Sequence, residues 1–477
     1  MSRKKKDKPI LELKIETIAF EGLAIARKDN LVYFVKNAIP GDLVKVRALR
    51  KRKGYVQTQL LEILEPSSDR ITPLCKYFGV CGGCSWQILD YQNQLQWKKR
   101  HVEDAFTRIG KIVCGIIYDT LPSPKIFNYR NKMEFSFGAS RWLEENEIES
   151  DNEISNKNFA LGLHIPGRFD KILDINECHI QPAIGNDILN TVREKALSME
   201  LSSYHQKEHT GFLRNLILRY SETFNNLMLI LITQSPQSEN EKEFIDWFMA
   251  YLPKEFPLIA SAIHAVNDSL SPVATGKINK VTGDDYIKEN ILNVTFKISP
   301  FSFFQTNSLQ LNQFIGKIID TAELKKNMTV WDLYCGTGSI TLPAAASVKK
   351  IYGFELVESS ILDAKTNAEY NKINNAKFYC EDLHAKDISK KLEQFEKPDL
   401  IFIDPPRAGM HKNLIKLLKT MQCPKIVYVS CNPATQARDC TELSDIYDVQ
   451  SLQPVDMFPH TYHVENIAML KLKNGIE

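Results

Sequence analysis

The chain of 477 residues carries 60 Lys and Arg against 58 Asp and Glu, a net charge of +2, and 43% hydrophobic residues. That is room for two or three domains with ordinary cores, and too little net charge to hold nucleic acid except through local basic patches. No run reaches the ~18 apolar residues of a membrane span, and the charged N-terminus lacks the apolar core of a secretory leader, which predicts a cytoplasmic protein with no membrane partner.

In chain order, SRKKKDK (2–8) is expected to be disordered. The stretches LELKIETIAFEGLAIA (11–26), LVYFVKNAIPGDLVKVRALR (31–50) and KGYVQTQLLEILEP (53–66) follow, with turn signals at Gly22, Asp29-Asn30, Pro40-Gly41 and Gly54. Short strands so closely spaced predict a small β-barrel. Arg47, Arg50, Lys51, Arg52 and Lys53 form a basic run beside Tyr55. Such a run suits phosphate contact and base stacking, although a solvated hairpin tip reads the same way.

Cys75, Cys81 and Cys84 then give C-x5-C-x2-C, with Gly82 and Gly83 between the last two. Thiolates at this spacing converge on one metal or cluster, and a fourth ligand must come from elsewhere, Cys114 and Cys178 being nearest. Zinc and iron–sulfur clusters both accept four thiolates. Cys335, Cys380, Cys423 and Cys440 read as ordinary buried thiols. MEFSFGA (133–139), LRNLILRY (213–220) and NLMLILIT (226–233) read as strands of a middle region, and EENEIESDNE (144–153) as an acidic surface loop. There is no internal repeat.

Beyond residue 326 the pattern changes. NMTVWDLY (327–334), KKIYGFELV (349–357), AKFYCEDL (376–383), DLIFIDPPR (399–407) and KIVYV (425–429) read as strands, with SSILDAKTNAEYNKI (359–373) and KNLIKLLKTM (412–421) as intervening helices. This alternation predicts a doubly wound, mostly parallel α/β sheet. Asp332, Gly336 and Gly338 form D-x-x-x-G-x-G after the first strand, and Glu355, Asp382 and Asp404 stand at later strand ends. There is no P-loop, and Thr341 stands where a dinucleotide fingerprint wants its third glycine. Acidic strand ends in this order resemble a class I S-adenosylmethionine methyltransferase, whose ligand has a ribose and an adenine but no pyrophosphate.

Cys431 follows KIVYV directly, so it stands at the carboxyl edge of that sheet, where Asn432-Pro433 turns the chain. A strand-end cysteine with Asp404-Pro405-Pro406-Arg407 suits methylation of a pyrimidine carbon. C5 of uracil is too weak a nucleophile unaided, and thiolate addition at C6 makes it an enolate carbon. A base must then remove the C5 proton. Glu465, at the head of the strand ENIAMLKL (465–472), is the candidate, with His460 and His463 as rivals.

The chain resembles the bacterial RNA uracil-5 methyltransferases over almost its whole length. The resemblance rests on FSFFQTN (301–307), DLYCGTGSI (332–340), FIDPPRAG (402–409), YVSCNPAT (428–435) and PHTYHVEN (459–466). It implies that Cys431 is the nucleophile and Glu465 the base. Gln305, Tyr334, Ser339, Glu355, Asp382 and Asp404 would contact S-adenosylmethionine or orient the uracil. Residues 1–68 resemble the TRAM domain, an OB-like RNA-binding barrel, through Gly22 and Ile39-Pro40-Gly41-Asp42. ILDINECHIQP (172–182) resembles the family's fourth-ligand region, so Cys75, Cys81, Cys84 and Cys178 would hold a 4Fe–4S cluster. FNYRNKMEFSFG (127–138) resembles a segment that contacts RNA, through Arg130 and Lys132. The expected organisation is a barrel (1–68), a middle α+β domain (69–290) and a Rossmann-like methyltransferase domain (291–477) in a monomer. The expected substrate is 23S rRNA, because the tRNA member of the family characteristically lacks the cysteine cluster and barrel. Methylation of tRNA, and noncatalytic RNA binding on a relic cofactor fold, are the alternatives.

Overall fold

The computed structural model describes residues 8–149 and 154–474. Of SRKKKDK only Lys8 lies within the described residues, and the end of the acidic insert, 150–153, lies outside them. The part of that insert within view is not a plain loop, since Glu145–Glu149 is helical.

The first sheet has six strands between Ile10 and Glu65. Leu13, Val35, Val44, Val46 and Val56 point into its core. The basic run occupies an exposed hairpin tip between Leu43–Arg52 and Tyr55–Glu65, turning at Gly54 with φ +86° and nothing within 4 Å of a built Cβ.

A second, seven-stranded sheet runs in the order Arg168–Asp174, Ala160–Ile165, Lys132–Gly138, Leu213–Ser221, Asn226–Thr233, Ile259–Val266, Lys277–Gly283. Helices Ile184–Ser198 and Glu239–Ala250 bury Ile188, Leu189, Phe244 and Phe248 in the core beneath it.

The third sheet carries the predicted α/β pattern. Its order is Ala376–Cys380, Lys350–Glu355, Thr329–Leu333, Leu400–Ile403, Lys425–Ser430, Glu465–Leu472, Tyr447–Val455, with a short bridge strand Ile116–Ile117 at the end. The first five are parallel. Strand Lys425–Ser430 is buried on both faces, Val427 and Val429 in one core and Ile426 and Tyr428 in the other, as a central parallel strand requires. Sequence order reverses between Thr329–Leu333 and Leu400–Ile403, and a reversal of this kind opens a ligand crevice at the strands' carboxyl ends. Cys335, Cys423 and Cys440 are buried as expected, but Cys380 is exposed, because it ends the edge strand of this sheet. No helix among the described residues is long and apolar enough to cross a membrane.

The barrel is docked, not merely tethered. Gly22 turns with φ +79°, and a Cβ there would lie 2.7 Å from the Tyr462 ring. We predict that Gly22→Ala loosens this contact at a cost of about 1–3 kcal/mol, from left-handed backbone strain plus the clash. Chemical denaturation would measure the loss, and a stability equal to wild type would mean the barrel is free to move away.

Candidate active site

The crevice begins with a strained turn. Tyr334, Gly336 and Gly338 all have positive φ, at 66°, 54° and 86°, unusual for a tyrosine and affordable only where the surroundings enforce it. A Cβ on Gly336 would meet nothing within 4 Å, so this backbone faces open space that a ligand can enter. The Gly336 N–H donates to Glu355 Oε2 (3.2 Å), and the other carboxylate oxygen accepts from Val357 N–H (2.9 Å). Asp382 accepts from His384 N–H (2.8 Å) at the next strand end. All six residues expected to meet the cofactor or the uracil, namely Gln305, Tyr334, Ser339, Glu355, Asp382 and Asp404, line one cavity of about 390 Å³. Carboxylates beside a glycine turn suit ribose hydroxyls and an adenine, the chemistry of S-adenosylmethionine. Asp332 plays a different part. It is fully buried, accepts from Thr341 Oγ1 (2.5 Å), and burial pushes its carboxyl up to about 7.

The expected nucleophile and base come from one register. Strand Glu465–Leu472 runs antiparallel to Lys425–Ser430, pairing Ser430 with Asn466. Cys431, one residue after Ser430, and Glu465, one residue before Asn466, therefore share the crevice edge. Asn432 caps helix Pro433–Leu443 by accepting from Ala434 N–H (3.1 Å), with proline at the favoured first position. Buried amides lock the two elements. Asn466 Nδ2 donates to Gln436 Oε1 (2.7 Å), and Gln436 Nε2 donates to Tyr428 O (2.8 Å) and Asn466 O (3.2 Å). The Asp-Pro-Pro-Arg turn is tied to the same helix, since Arg407 O accepts from Asn432 Nδ2 (3.3 Å) and Thr435 Oγ1 (3.2 Å).

Burial sets the electrostatics. It pushes Glu465 up to about 8, helped by Asp404, and Asp404 itself up to about 7. The Cys431 thiol rises to about 11 through burial and the neighbouring Glu465 and Asp404, with Arg407 pulling the other way. The two rival histidines are held neutral. Burial lowers both His460 and His463 to about 4. His460 stacks on Phe127 with ring centroids 4.3 Å apart and hydrogen-bonds Gln94, which makes it part of the scaffold.

Sequence reading missed the residues that hold this machinery. Lys98 and Asp456 form an ion pair with no exposed side-chain surface, joined by Lys98 Nζ donating to Phe458 O (3.1 Å) and Tyr91 O–H donating to Asp456 (2.9 Å). Gln94 Oε1 accepts from His460 N–H (2.8 Å), and His460 O accepts from both Ser85 and Trp86 N–H (2.9 Å each). Tyr129 O–H donates to Pro459 O (3.0 Å). Asn307 caps helix Ser308–Ala322 and donates to Met457 O (3.0 Å). From the middle sheet, Arg219 donates to Pro300 O (3.0 Å) and to Ser302 O, and Asn131 donates to Gln305 O (3.1 Å). A lysine in a polar helical stretch carries no sequence signal that it will be buried.

Cys75, Cys81, Cys84 and Cys178 line a second cavity, of about 500 Å³, with Arg130, Lys132 and His179, and share the wall Phe303–Phe304 with the cofactor crevice. Cys114 lies elsewhere, near Cys440. Burial raises all four thiols, Cys84 to about 12 and Cys178 to about 11. Among the described residues no three His, Cys, Asp or Glu side chains stand at single-ion spacing.

A sheet of this strand order with this crevice is that of the S-adenosylmethionine-dependent methyltransferases. The model of the family described as tRNA (Uracil-5-)-methyltransferase matches residues 269–473, and that of the TRAM domain matches 9–61. A protein of Bacteroides thetaiotaomicron described as an uncharacterized RNA methyltransferase is 40% identical, covering 96% of this chain and 100% of its own. One of Chlorobaculum tepidum with a similar description is 40% identical over 90% of this chain and 89% of its own. Among solved structures, the Pyrococcus abyssi tRNA (uracil-54, C5)-methyltransferase in complex with S-adenosyl-L-homocysteine superimposes with a TM-score of 0.74 at 26% identity, over 96% of this chain and 100% of that one. The chain belongs to the RNA uracil-5 methyltransferase family. It is an S-adenosylmethionine-dependent RNA methyltransferase with an N-terminal TRAM domain.

The buried pair generates a prediction. Lys98→Met leaves Asp456 charged and desolvated, which costs about 3–5 kcal/mol. Adding Asp456→Asn should restore part of the loss. Urea denaturation of Lys98→Met, Asp456→Asn and the double variant measures the coupling, and a single variant as stable as wild type would show that the pair carries little.

Proposed function

We propose that this enzyme methylates C5 of a uridine in RNA through a covalent bond between Cys431 and C6. The observation that carries the reading is the register that sets Cys431 and Glu465 at one crevice edge, beside the cavity lined by Gln305, Tyr334, Ser339, Glu355, Asp382 and Asp404. The Cys431 thiolate attacks C6, the S–C6 bond forms, and the C5=C6 electrons move onto the O4 enolate. When bound, S-adenosylmethionine would supply the methyl group, the C5–methyl bond forming as its S–methyl bond breaks and S-adenosylhomocysteine leaves. Glu465 then takes the C5 proton, the C5=C6 bond re-forms, and the thiolate leaves. Asp404, raised by burial, is the neighbour suited to hydrogen-bond the uracil.

Four partly buried thiols around one cavity, with Gly83 N–H donating to Cys81 Sγ (3.4 Å), support a resident cluster. Zinc and a 4Fe–4S cluster both accept four thiolates, and the occupant proposed is a 4Fe–4S cluster, each iron taking one cysteine. The substrate proposed is 23S rRNA, and the molecule is read as a monomer divided near residues 68 and 290. A second reading, tRNA, is favoured by the Pyrococcus enzyme, which acts on tRNA and covers 96% of this chain, barrel included. Possession of a barrel therefore does not by itself separate the two. Mapping 5-methyluridine in the rRNA and tRNA of a deletion strain decides between them.

RNA carrying 5-fluorouridine at the target should form an adduct stable to denaturation, since fluorine cannot leave as a cation. Cys431→Ala should form none while still binding cofactor, and an adduct in that variant would move the nucleophile elsewhere. On ordinary RNA, Glu465→Gln should accumulate the methylated adduct. In wild type, adduct release should rise with pH with a midpoint near 8, because Glu465 accepts a proton only once ionised and burial holds it at about 8. A flat profile between pH 7 and 9 would assign the proton to another group.

The cysteine site has its own test. Protein purified without air should be brown and contain iron, and Cys178→Ser should lose both. Stoichiometric zinc without iron would remove the iron–sulfur reading.

A further inference from the structure

Beside Cys431 lies an open groove of about 600 Å³ that shares only Arg407 with the proposed reaction. The barrel supplies Phe20, Glu21, Leu23 and Lys36, and the methyltransferase sheet supplies Arg407, Asn432, Ala434 and Tyr462. Asn432 follows Cys431 in the chain, so the groove starts roughly 3.8 Å of backbone from the thiol-bearing residue. Lys36 and Arg407 are exposed cations, and Arg407 also acts electrostatically on Cys431. Phe20 and Tyr462 meet edge to face, with centroids 6.3 Å apart. Gly22 seats the Tyr462 ring too closely for any side chain in between. The aromatic wall is therefore fixed by contact between two parts of the molecule, and it opens onto cations next to the chemistry.

We propose that this groove takes the nucleotide adjacent to the target uridine, its base against Phe20 and Tyr462 and its phosphates at Lys36 and Arg407. Aromatic faces beside cations are the means by which single-stranded nucleic acid is held. Glu21 repels phosphate and accepts hydrogen bonds from base amino groups, so it favours a base at its own position. The occupant is RNA because Asn432, the residue after Cys431, lines the groove, and an RNA strand delivering its uracil to Cys431 must continue on one side or the other. Barrel and methyltransferase sheet thus form one subsite together, and the barrel takes part in choosing which uridine is presented. The inference rests on the reading that Cys431 receives the target uracil.

The test uses the full chain and a single-stranded RNA spanning the mapped uridine. It carries 5-fluorouridine at the target and photoreactive 4-thiouridine at the next position on one side or the other. Irradiation of the adduct should crosslink one of the two RNAs to the peptide bearing Phe20 or Tyr462. Lys36→Glu, a surface change away from the reacting groups, should weaken RNA binding about tenfold and flatten its salt dependence by about one unit of slope, with cofactor binding by calorimetry unchanged. Adducts that form normally but crosslink only elsewhere, or Lys36→Glu binding RNA as wild type does at every salt concentration, overturn the proposal and leave the reaction standing. Failure of wild type to form any adduct overturns the covalent reading instead, and the subsite with it.

Discussion

The contact on which the site depends is the pair Lys98–Asp456, two charges with no exposed side-chain surface. Removing two ions from water costs several kcal/mol each, and their attraction repays this only when the remaining hydrogen-bonding groups are also satisfied. Here they are. Lys98 reaches Phe458 O, Tyr91 reaches Asp456, and Asp456 also accepts from Phe458 N–H (3.1 Å). The network fixes the segment 456–463, which otherwise has no regular structure and leads directly into Glu465. Every other part of the molecule meets that same segment: the cysteine-bearing loop through Ser85 and Trp86, the middle region through Tyr129, the cofactor-lining segment through Asn307, the barrel through Gly22. The irregular stretch is thus the hub of the assembly, and an ionic rather than apolar anchor gives it one register.

The sheet's one reversed strand explains why such an anchor is needed. A wholly parallel sheet puts every strand's start at the edge opposite its ligands. Running Glu465–Leu472 backwards brings its first residue to the ligand edge beside Ser430 and Cys431, so a strand start can carry a side chain into the crevice. The incoming chain must then cross the active face, and the buried pair, Gln94 and the Ser85–Trp86 amides hold it there.

What was legible in the sequence follows the same physics. Strands of the third sheet could be read because apolar runs buried on both faces leave no ambiguity, and KNLIKLLKTM is helical over the residues its period predicts, Lys412–Met421. The crevice residues were visible because charged or glycine positions at strand ends have few structural explanations. The brace was not visible. Gln94, Lys98 and His101 sit on a helix of low overall hydrophobicity (Tyr91–Asp104) whose buried face is largely polar, the reverse of the pattern that marks a core helix. The burial of Gln94 and Lys98 follows from partners some 360 residues away in sequence, and that of His101 from Ile18, 83 residues back, which no local period encodes. Cys380 went astray for the opposite reason: cysteine is usually buried, but an edge strand ends there.

The electrostatics of the crevice also order the proposed chemistry. Glu465 and Asp404 share a low-dielectric site, Asp404 opposes ionisation of Glu465 and both oppose that of Cys431, so the arrangement resists carrying all its negative charges at once. Cys431, held up near 11 by burial and both carboxyls, stays a thiol in the free enzyme, and a thiol resists oxidation where a thiolate does not. Attack requires that thiolate, and Arg407 is the cation acting to lower its cost. An RNA strand entering the crevice displaces water and brings a uracil whose ring accepts the thiolate's charge as it forms. The negative charge then resides on the enolate, away from the sulfur, and methyl transfer to C5 consumes it. The base is required only after that step, when the ring no longer carries a charge beside Glu465.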